Sequence, residues 1–328
     1  MPYNSLVDRT AATPLIGEEV IDAFLTEVAG TNPLMQMARR LPNMTKAQDR
    51  LPVWQALPTA YFVSGDTGLK QTSDVSWDNK YISAEELAVI VPIPQAVLDD
   101  SDYDIWAQVK PELLRAFSKA ITQAVLYGTN IPASWTTNLG AAGIVAGATA
   151  ASHVVSAADY TDLYEAILGE NVNETSGVGT PGLFMLTEAD GFAVTGNMAH
   201  ISMKGKLRNV RDTSLQPIFK PNMQNSTQYS LDGTPINFPD DGSIDAAQSL
   251  LISGMWSQLA FSMRQDITWS VAEQAVIQDA TGAIVYNLFQ QDMVALRGVM
   301  RLGFALPNPI NRMNETEATR YPFAVLTA

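Results

Sequence analysis

The stretch WDNKYISAEELAVIVPIPQAVLDDSDYDIWAQVKPELLRAFSKAITQAVLYGT, Trp77 to Thr129, runs from an extended apolar segment through two prolines and an aspartate cluster into a helical pattern. In its second half Val109, Leu113, Phe117, Ala120, Ala124 and Tyr127 recur at three- and four-residue steps, with Glu112, Arg115, Lys119 and Thr122 opposite them. That spacing predicts one long amphipathic helix, stopped by Gly128. Pro111 lacks an amide donor and fits poorly in an interior turn, so it predicts either the first helical residue or a kink.

The aspartates Asp99, Asp100, Asp102 and Asp104 raise the question of a cation site. Laid on a calcium loop with Asp100, Asp102 and Asp104 at the first, third and fifth positions, the sixth position holds Ile105 where glycine is needed. The twelfth holds Pro111 in place of a bidentate glutamate. The run is better explained by helix entry: Ser101, Asp102 or Asp104 caps the helix and the other carboxylates face the positive end of its dipole.

Upstream, LPVWQALPTAYFVSG (51–65) and KYISAEELAVIVPIP (80–94) are two extended runs joined by a polar tip, and together predict a long β-hairpin. Trp54, Tyr61, Phe62, Trp77, Tyr81, Tyr103 and Trp106 crowd in and around it. A two-stranded ribbon has little core of its own, so several of these side chains are expected to meet another surface. Before it, Glu18 to Val28 carries a helical apolar pattern leading to Arg39 and Arg40, which reads as an arm or cap and not as core.

Downstream, the texture between about 135 and 265 changes to small-residue loops, a helix near 159–169, short strands and a Pro/Gly/Asn-rich stretch from Pro217 to Gly242. This predicts a second domain inserted into the first. The chain returns in strands, LLISGMW, LAFSMRQDITWSV and DMVALRGVMRLGFAL, the last setting Leu296, Met300, Leu302 and Phe304 against Arg297, Arg301 and Gly303.

Composition removes whole classes of function. The 328 residues contain no cysteine, which excludes disulfides, thiolate metal sites and a cysteine nucleophile. A formal charge of -14 repels phosphate backbones and disfavours tight nucleic-acid binding. No apolar run approaches the roughly 18 residues of a membrane span. The start of the chain has neither a basic segment nor an apolar core of a secretory signal, and a soluble protein is expected. His153 and His200 stand in separate segments, beside no H-x-x-x-H pair or G-x-S-x-G elbow. Glu85/Glu86 and Asp240/Asp241 read as solvated charge. GVGTPG, Gly177 to Gly182, matches a dinucleotide pattern, but a polar stretch precedes it and LFML follows, so a connector leading into a strand is expected. No catalytic residue, cofactor or metal site is predicted.

The chain order of arm, long hairpin, long helix, inserted domain and returning strands resembles the major capsid proteins of tailed bacteriophages, with the Hong Kong 97-type fold also used by encapsulin shells. The resemblance is carried by residues 77–129, by LRNVRDTSLQPIFKP (207–221) with YSLDGTPINF (229–238), by LLISGMWSQLAFSMRQDITWSV (250–271) and by LFQQDMVALRGVMRLGFALPNP (288–309). It implies an α+β fold with an N-terminal arm over 1–45, an extended loop over 46–90, and a peripheral domain over 91–134 and 266–328 with the long helix as its spine. An axial domain over 135–265 would gather subunits into pentamers and hexamers.

The implied function is a non-enzymatic subunit that closes an icosahedral shell around double-stranded DNA, assembled in the host cytoplasm and resident in the virion. Trp54, Tyr61, Phe62, Lys70 and Trp77 are its expected intersubunit contacts. Many relatives begin with a helical scaffolding segment, whereas this chain goes from Met1 into the arm, which points to a separate scaffolding protein or to assembly without one. Portal and decoration proteins are further implied partners. Some relatives join a loop lysine to a neighbour's asparagine; Lys70 with Asn308 or Asn311 would be the counterparts, though no local motif fixes the match. The competing readings are an encapsulin-like compartment with an inner cargo pocket, and a soluble hydrolase or nucleotide enzyme using the Gly177–Gly182 loop or an aspartate pair.

Overall fold

Residues 32–63, 68–100, 105–160, 162–169, 181–210 and 229–328 are described by a computed structural model. The proposed arm helix at 18–28, the helix-entry residues Ser101, Asp102 and Asp104, Gly177 to Thr180 and most of 207–221 lie outside these residues.

In chain order, a short helix Pro33–Met37 leads to β1 (Arg39–Arg40), β2 (Gln48–Ala56), β3 (Ser76–Ser83) and β4 (Glu85–Pro94). Helices Gln95–Asp99, Ile105–Tyr127, Ala133–Leu139 and Ile144–Ala150 follow, then β5 (Val154–Ser156) and helices Leu163–Leu168 and Leu183–Ala189. β6 (Gly196–Ala199), helix Met203–Arg208, β7 (Ser230–Leu231), β8 (Thr234–Asn237) and β9 (Leu251–Gly254) complete the middle of the chain. The last strands are β10 (Ala260–Ala272), β11 (Val276–Gln278), β12 (Ile284–Asn287), β13 (Met293–Ala305) and β14 (Phe323–Thr327).

Two sheets organise the molecule. The first has the order β1-β10-β13-β4. Its central pair runs antiparallel from Ala260↔Ala305 to Ala272↔Ala295. The long helix buries Leu114, Phe117, Ile121 and Val125 in one cluster with Met263, Ile267, Met300 and Leu302 of this sheet. Phe117 meets Trp269 edge-on, ring centroids 6.5 Å apart. The second sheet has the order β5-β14-β9-β6-β8-β7. Every residue of β6 and β9 is buried. Helix residues Ala166, Ile167, Leu183, Phe184, Met203 and Leu207 form its separate apolar cluster with Leu251 and Leu326.

Four expectations are corrected here. The hairpin is β2 with β3 alone, from Gln48↔Ser83 to Ala56↔Ser76. After Ala84 the chain leaves it, and β4 pairs with β13 from Glu85↔Leu302 to Pro94↔Met293, so residues 85–90 belong to the first sheet and not to the loop. As an edge strand, β4 tolerates Pro92 and Pro94, which have no ladder donor to lose. The long helix begins at Ile105, so Pro111 lies inside it and is not its first residue.

Residues 32–38, just before Arg39, are core and not an arm or cap. Leu34 is fully buried, and Asn32 caps its helix by accepting from the Met35 N–H at 3.1 Å while its amide donates to Ser118 O at 3.1 Å. β14 inserts between β5 and β9, so the C-terminal strand crosses from the first body into the second. Gly182 opens a helix, not a strand: seven apolar-rich residues carry too little periodicity to tell the two apart. A Cβ on Gly182 would stand 2.1 Å from the Gly169 nitrogen, so the final glycine of GVGTPG lets two backbone segments touch.

Candidate assembly surface

The β2/β3 hairpin is buried at its root and increasingly exposed toward its tip. Ile82 is 1% exposed and packs with Met44 and Ala305. Higher up, Trp54 and Trp77 face each other across the strands with ring centroids 4.9 Å apart, yet remain 44% and 62% exposed. Toward the tip, the Tyr61 hydroxyl donates to Gln71 O at 2.8 Å and the Thr59 N–H donates to Ser73 Oγ at 2.8 Å. These bonds hold the two limbs together where the ladder has ended. Phe62 and Leu69 are fully exposed, and Lys70 is exposed beside Leu69.

Besides the Ile82 packing and the Trp135 Nε1–H donated to Ser83 O at 3.1 Å at the root, polar contacts farther along tie the ribbon to its own body. The Lys80 ammonium meets Glu317 Oε1 at 2.6 Å, and the Arg312 guanidinium donates to Pro58 O at 2.9 Å. The five expected contact residues therefore share one element, with Trp54 and Trp77 as a direct pair and Tyr61, Phe62 and Lys70 farther out. The asparagines considered for a lysine cross-link are already engaged. Asn308 donates to Arg320 O at 2.8 Å, and Asn311 donates to Asp190 O at 2.6 Å.

A second ribbon, β11/β12, was not singled out from the sequence. Val276, Ile284, Val285, Tyr286 and the following Phe289 are exposed on it, with Phe289 at 75%. Its turn is built by Asp279, whose carboxylate accepts from the Thr281 hydroxyl at 2.7 Å and the Thr281 and Ala283 N–H groups at 2.8 and 2.9 Å. The Thr281 hydroxyl, followed by the Ala283 amide, holds the Asp279 carboxyl below the usual carboxylate range. The signal available in the sequence was VIQDATGAIVYN, two short β-branched runs around an aspartate and a glycine.

Chemistry-bearing groups are used structurally. His153 and Asp190 form a buried pair, Nε2 to Oδ2 at 3.1 Å, and Asp190 also accepts from the Tyr321 N–H and the Asn314 amide. Burial pushes the Tyr321 hydroxyl far above its ordinary pKa, and it donates to Ile144 O at 3.3 Å. His200 Nδ1 lies 2.8 Å from Ser202 Oγ and accepts from the Ser202 N–H at 3.2 Å, a local turn, and no carboxylate pairs with it among the described residues. A cavity of about 240 Å³ between β4 and the long helix is lined by Leu87, Ile121, Trp135 and Leu302 together with Glu85 and Thr129. It contains neither histidine. Among the described residues no group of three acidic or histidine side chains is placed to hold a metal, and no helix is long and apolar enough to cross a membrane.

The molecule is a helix-backed sheet, a second sheet-based body that the chain enters at β5 and again at β14, and a projecting apolar ribbon. Residues 12–311 match the model of the phage capsid family, and the chain belongs to that family. The major capsid protein of Staphylococcus phage 80alpha is 25% identical over 288 residues, covering 87% of this chain and 79% of that protein. A solved chain from Microbacterium phage Oxtober96 is 28% identical with a TM-score of 0.75, covering 98% of this chain and 99% of that one. One from Mycobacterium phage Cain is 25% identical with a TM-score of 0.71, covering 98% of each chain. The fold is α+β of the Hong Kong 97 type, and the chain is a structural major capsid protein; the comparisons favour a phage shell over the encapsulin alternative.

Proposed function

We propose that this chain assembles through pentamers and hexamers into an icosahedral shell around double-stranded DNA, without catalysing a reaction, and that the β2/β3 hairpin is its reach onto a neighbouring subunit. In this reading residues 1–45, apart from the core-packed 32–38, are the arm, the extended loop is the hairpin, the first sheet with the long helix is the peripheral domain, and the second sheet is the axial domain. The observation that carries it is the hairpin's gradient from a buried root at Ile82 to exposed Trp54, Trp77, Tyr61, Phe62 and Leu69. Covering a large apolar side chain contributes roughly 1.5–3 kcal/mol, so several on one ribbon supply a strong drive to association. The charge of -14 suits a container whose contents must enter and leave, since it does not grip phosphate. A separate scaffolding protein, a portal and decoration proteins are the partners this role admits, with assembly in the host cytoplasm.

Replacing residues 58–75 by a short Gly/Ser turn tests the reading. The body keeps both apolar clusters, so the variant is expected to melt cooperatively and form soluble subunits or capsomers that fail to close. Trp54→Ala with Trp77→Ala is expected to weaken closure in the same direction. Normal closed particles from the shortened chain, seen by electron microscopy, would overturn the assignment of the hairpin.

A further inference from the structure

The second sheet separates charge between its two edges. At the β7/β8 edge, helix Met203–Arg208 carries Lys204, Lys206 and Arg208 within five positions and no acid, three cations against the exposed Asp232 in the β7/β8 turn. Lys204 Nζ stands 4.7 Å above the Phe238 ring, and Arg208 donates to the Tyr229 hydroxyl. Tyr229 immediately precedes β7 and Phe238 follows β8, so these contacts pin the cations to that edge. At the opposite edge, the chain leaving β5 exposes Asp159 and Asp162 and carries half-buried Glu165 in the next helix. Among the described residues none of these charges forms an ion pair. Each edge also exposes a large apolar side chain, Ile201 at 49% beside the cations and Tyr164 at 45% beside the acids.

Five interstrand steps of about 4.8 Å place the edges ~24 Å apart, well beyond the ~8 Å over which salt water transmits charge. They cannot satisfy each other within one chain. In a chain of net charge -14, an exposed basic patch complementary to an acidic patch on the far side of the same sheet is a directional arrangement. A two-fold contact uses the same patch on both subunits, whereas two different patches make a head-to-tail contact that repeats into a ring. We propose that the β7/β8 edge of one subunit docks against the β5 edge of the next, with Lys206 and Arg208 facing Asp159 and Asp162, and that this pairing sets the direction of the capsomer ring. This rests on the shell reading above and assigns that reading a second contact.

The test is a charge exchange on the full chain. Variant one carries Lys206→Glu and Arg208→Glu, variant two Asp159→Lys and Asp162→Lys, and variant three all four. Asp162 makes no side-chain cap bond, so its replacement removes no helix-capping interaction. With circular dichroism confirming a wild-type melt for each, native mass spectrometry and electron microscopy are expected to show rings from wild type and variant three. Variants one and two are each expected to remain as single subunits. Mixed in equal amounts, a subunit acidic at both edges alternates with one basic at both, which should restore six-membered rings without five-membered ones, because alternation closes only in even rings. Rings from variant one or two alone, or folded variant three that makes none, would overturn the proposal. If variant one assembles normally but its particles hold less DNA, the basic edge contacts nucleic acid and the proposal fails. If wild type forms no particles under any condition, the shell reading itself fails.

Discussion

His153 is 5% exposed, and both of its ring nitrogens face acceptors: Nε2 lies 3.1 Å from Asp190 Oδ2 and Nδ1 lies 3.3 Å from Phe323 O. A neutral imidazole donates from only one nitrogen, while the cation would satisfy both contacts but must shed its hydration. Burial prevails and lowers the ring's pKa from its ordinary value, with the Asp190 charge and the Phe323 carbonyl pulling the other way. Besides Asp190, the groups facing this site are Tyr321, whose ring lies edge-on, and Arg320, which also feels Asp190. Because the folded pKa is depressed, the unfolded chain takes up its proton first as pH falls below about 6.5. The ring's contribution to stability is therefore full above that pH and is lost as pH falls through the folded value. Scanning calorimetry from pH 7.5 to 5 should show the melting temperature of the wild type dropping more steeply than that of His153→Gln. Parallel curves would mean that the ring does not titrate differently on folding. The sequence offered His153 as an ordinary residue, which it is chemically; its partner Asp190 is 37 positions away and no local pattern could have joined them.

At the scale of elements, the alternation in 80–94 identified strand but could not say which strand it pairs with. Period two marks the faces of a strand, whereas partner choice is fixed by Ala84, where the chain turns out of the ribbon, and by β13, two hundred residues on. The long helix was legible from its apolar stripe, and its start was not. Pro111 suggested a boundary, and the structure carries the helix one and a half turns before it. An interior proline removes a hydrogen bond and crowds the preceding turn, and relative to alanine it costs up to ~3 kcal/mol. Pro111 is exposed, so its replacement leaves no cavity. Pro111→Ala is expected to raise stability by roughly 1–3 kcal/mol, read as a higher denaturant midpoint with unchanged slope. An unchanged or lower midpoint would mean that the first turns are held by something other than their own ladder.

On the whole-molecule scale, the order of elements carried the fold, because arm, ribbon, spine helix, insertion and returning strands come as a collinear set even where each segment is ambiguous. What it concealed was the last crossing. FAVLT falls within 266–328, the span expected to be peripheral, and only the pairing shows that it lies inside the second sheet between β5 and β9. Phe323, Ala324, Val325 and Leu326 are all fully buried, and Leu250 N–H donates to Leu326 O at 2.7 Å. Removing Phe323–Ala328 would strip a central strand and leave ladder groups of both neighbours without partners. Burial of Phe323, Val325 and Leu326 alone is worth roughly 1.5–3 kcal/mol each, a large share of the 5–15 kcal/mol that holds an ordinary domain together. The first sheet loses no strand. Phe323 and Val325 also pack in the apolar cluster of the long helix and the first sheet, so hydrogen exchange on the truncated chain should show protection lost in β6 and β9 and lowered, but not lost, in β10 and β13. The subunit would retain its peripheral body but lose the edges through which rings are proposed to form, so neither capsomers nor particles should appear. Retained protection in β9 would show that the second sheet stands without its C-terminal strand, and uniform loss across both sheets would show that the two bodies fold as one unit.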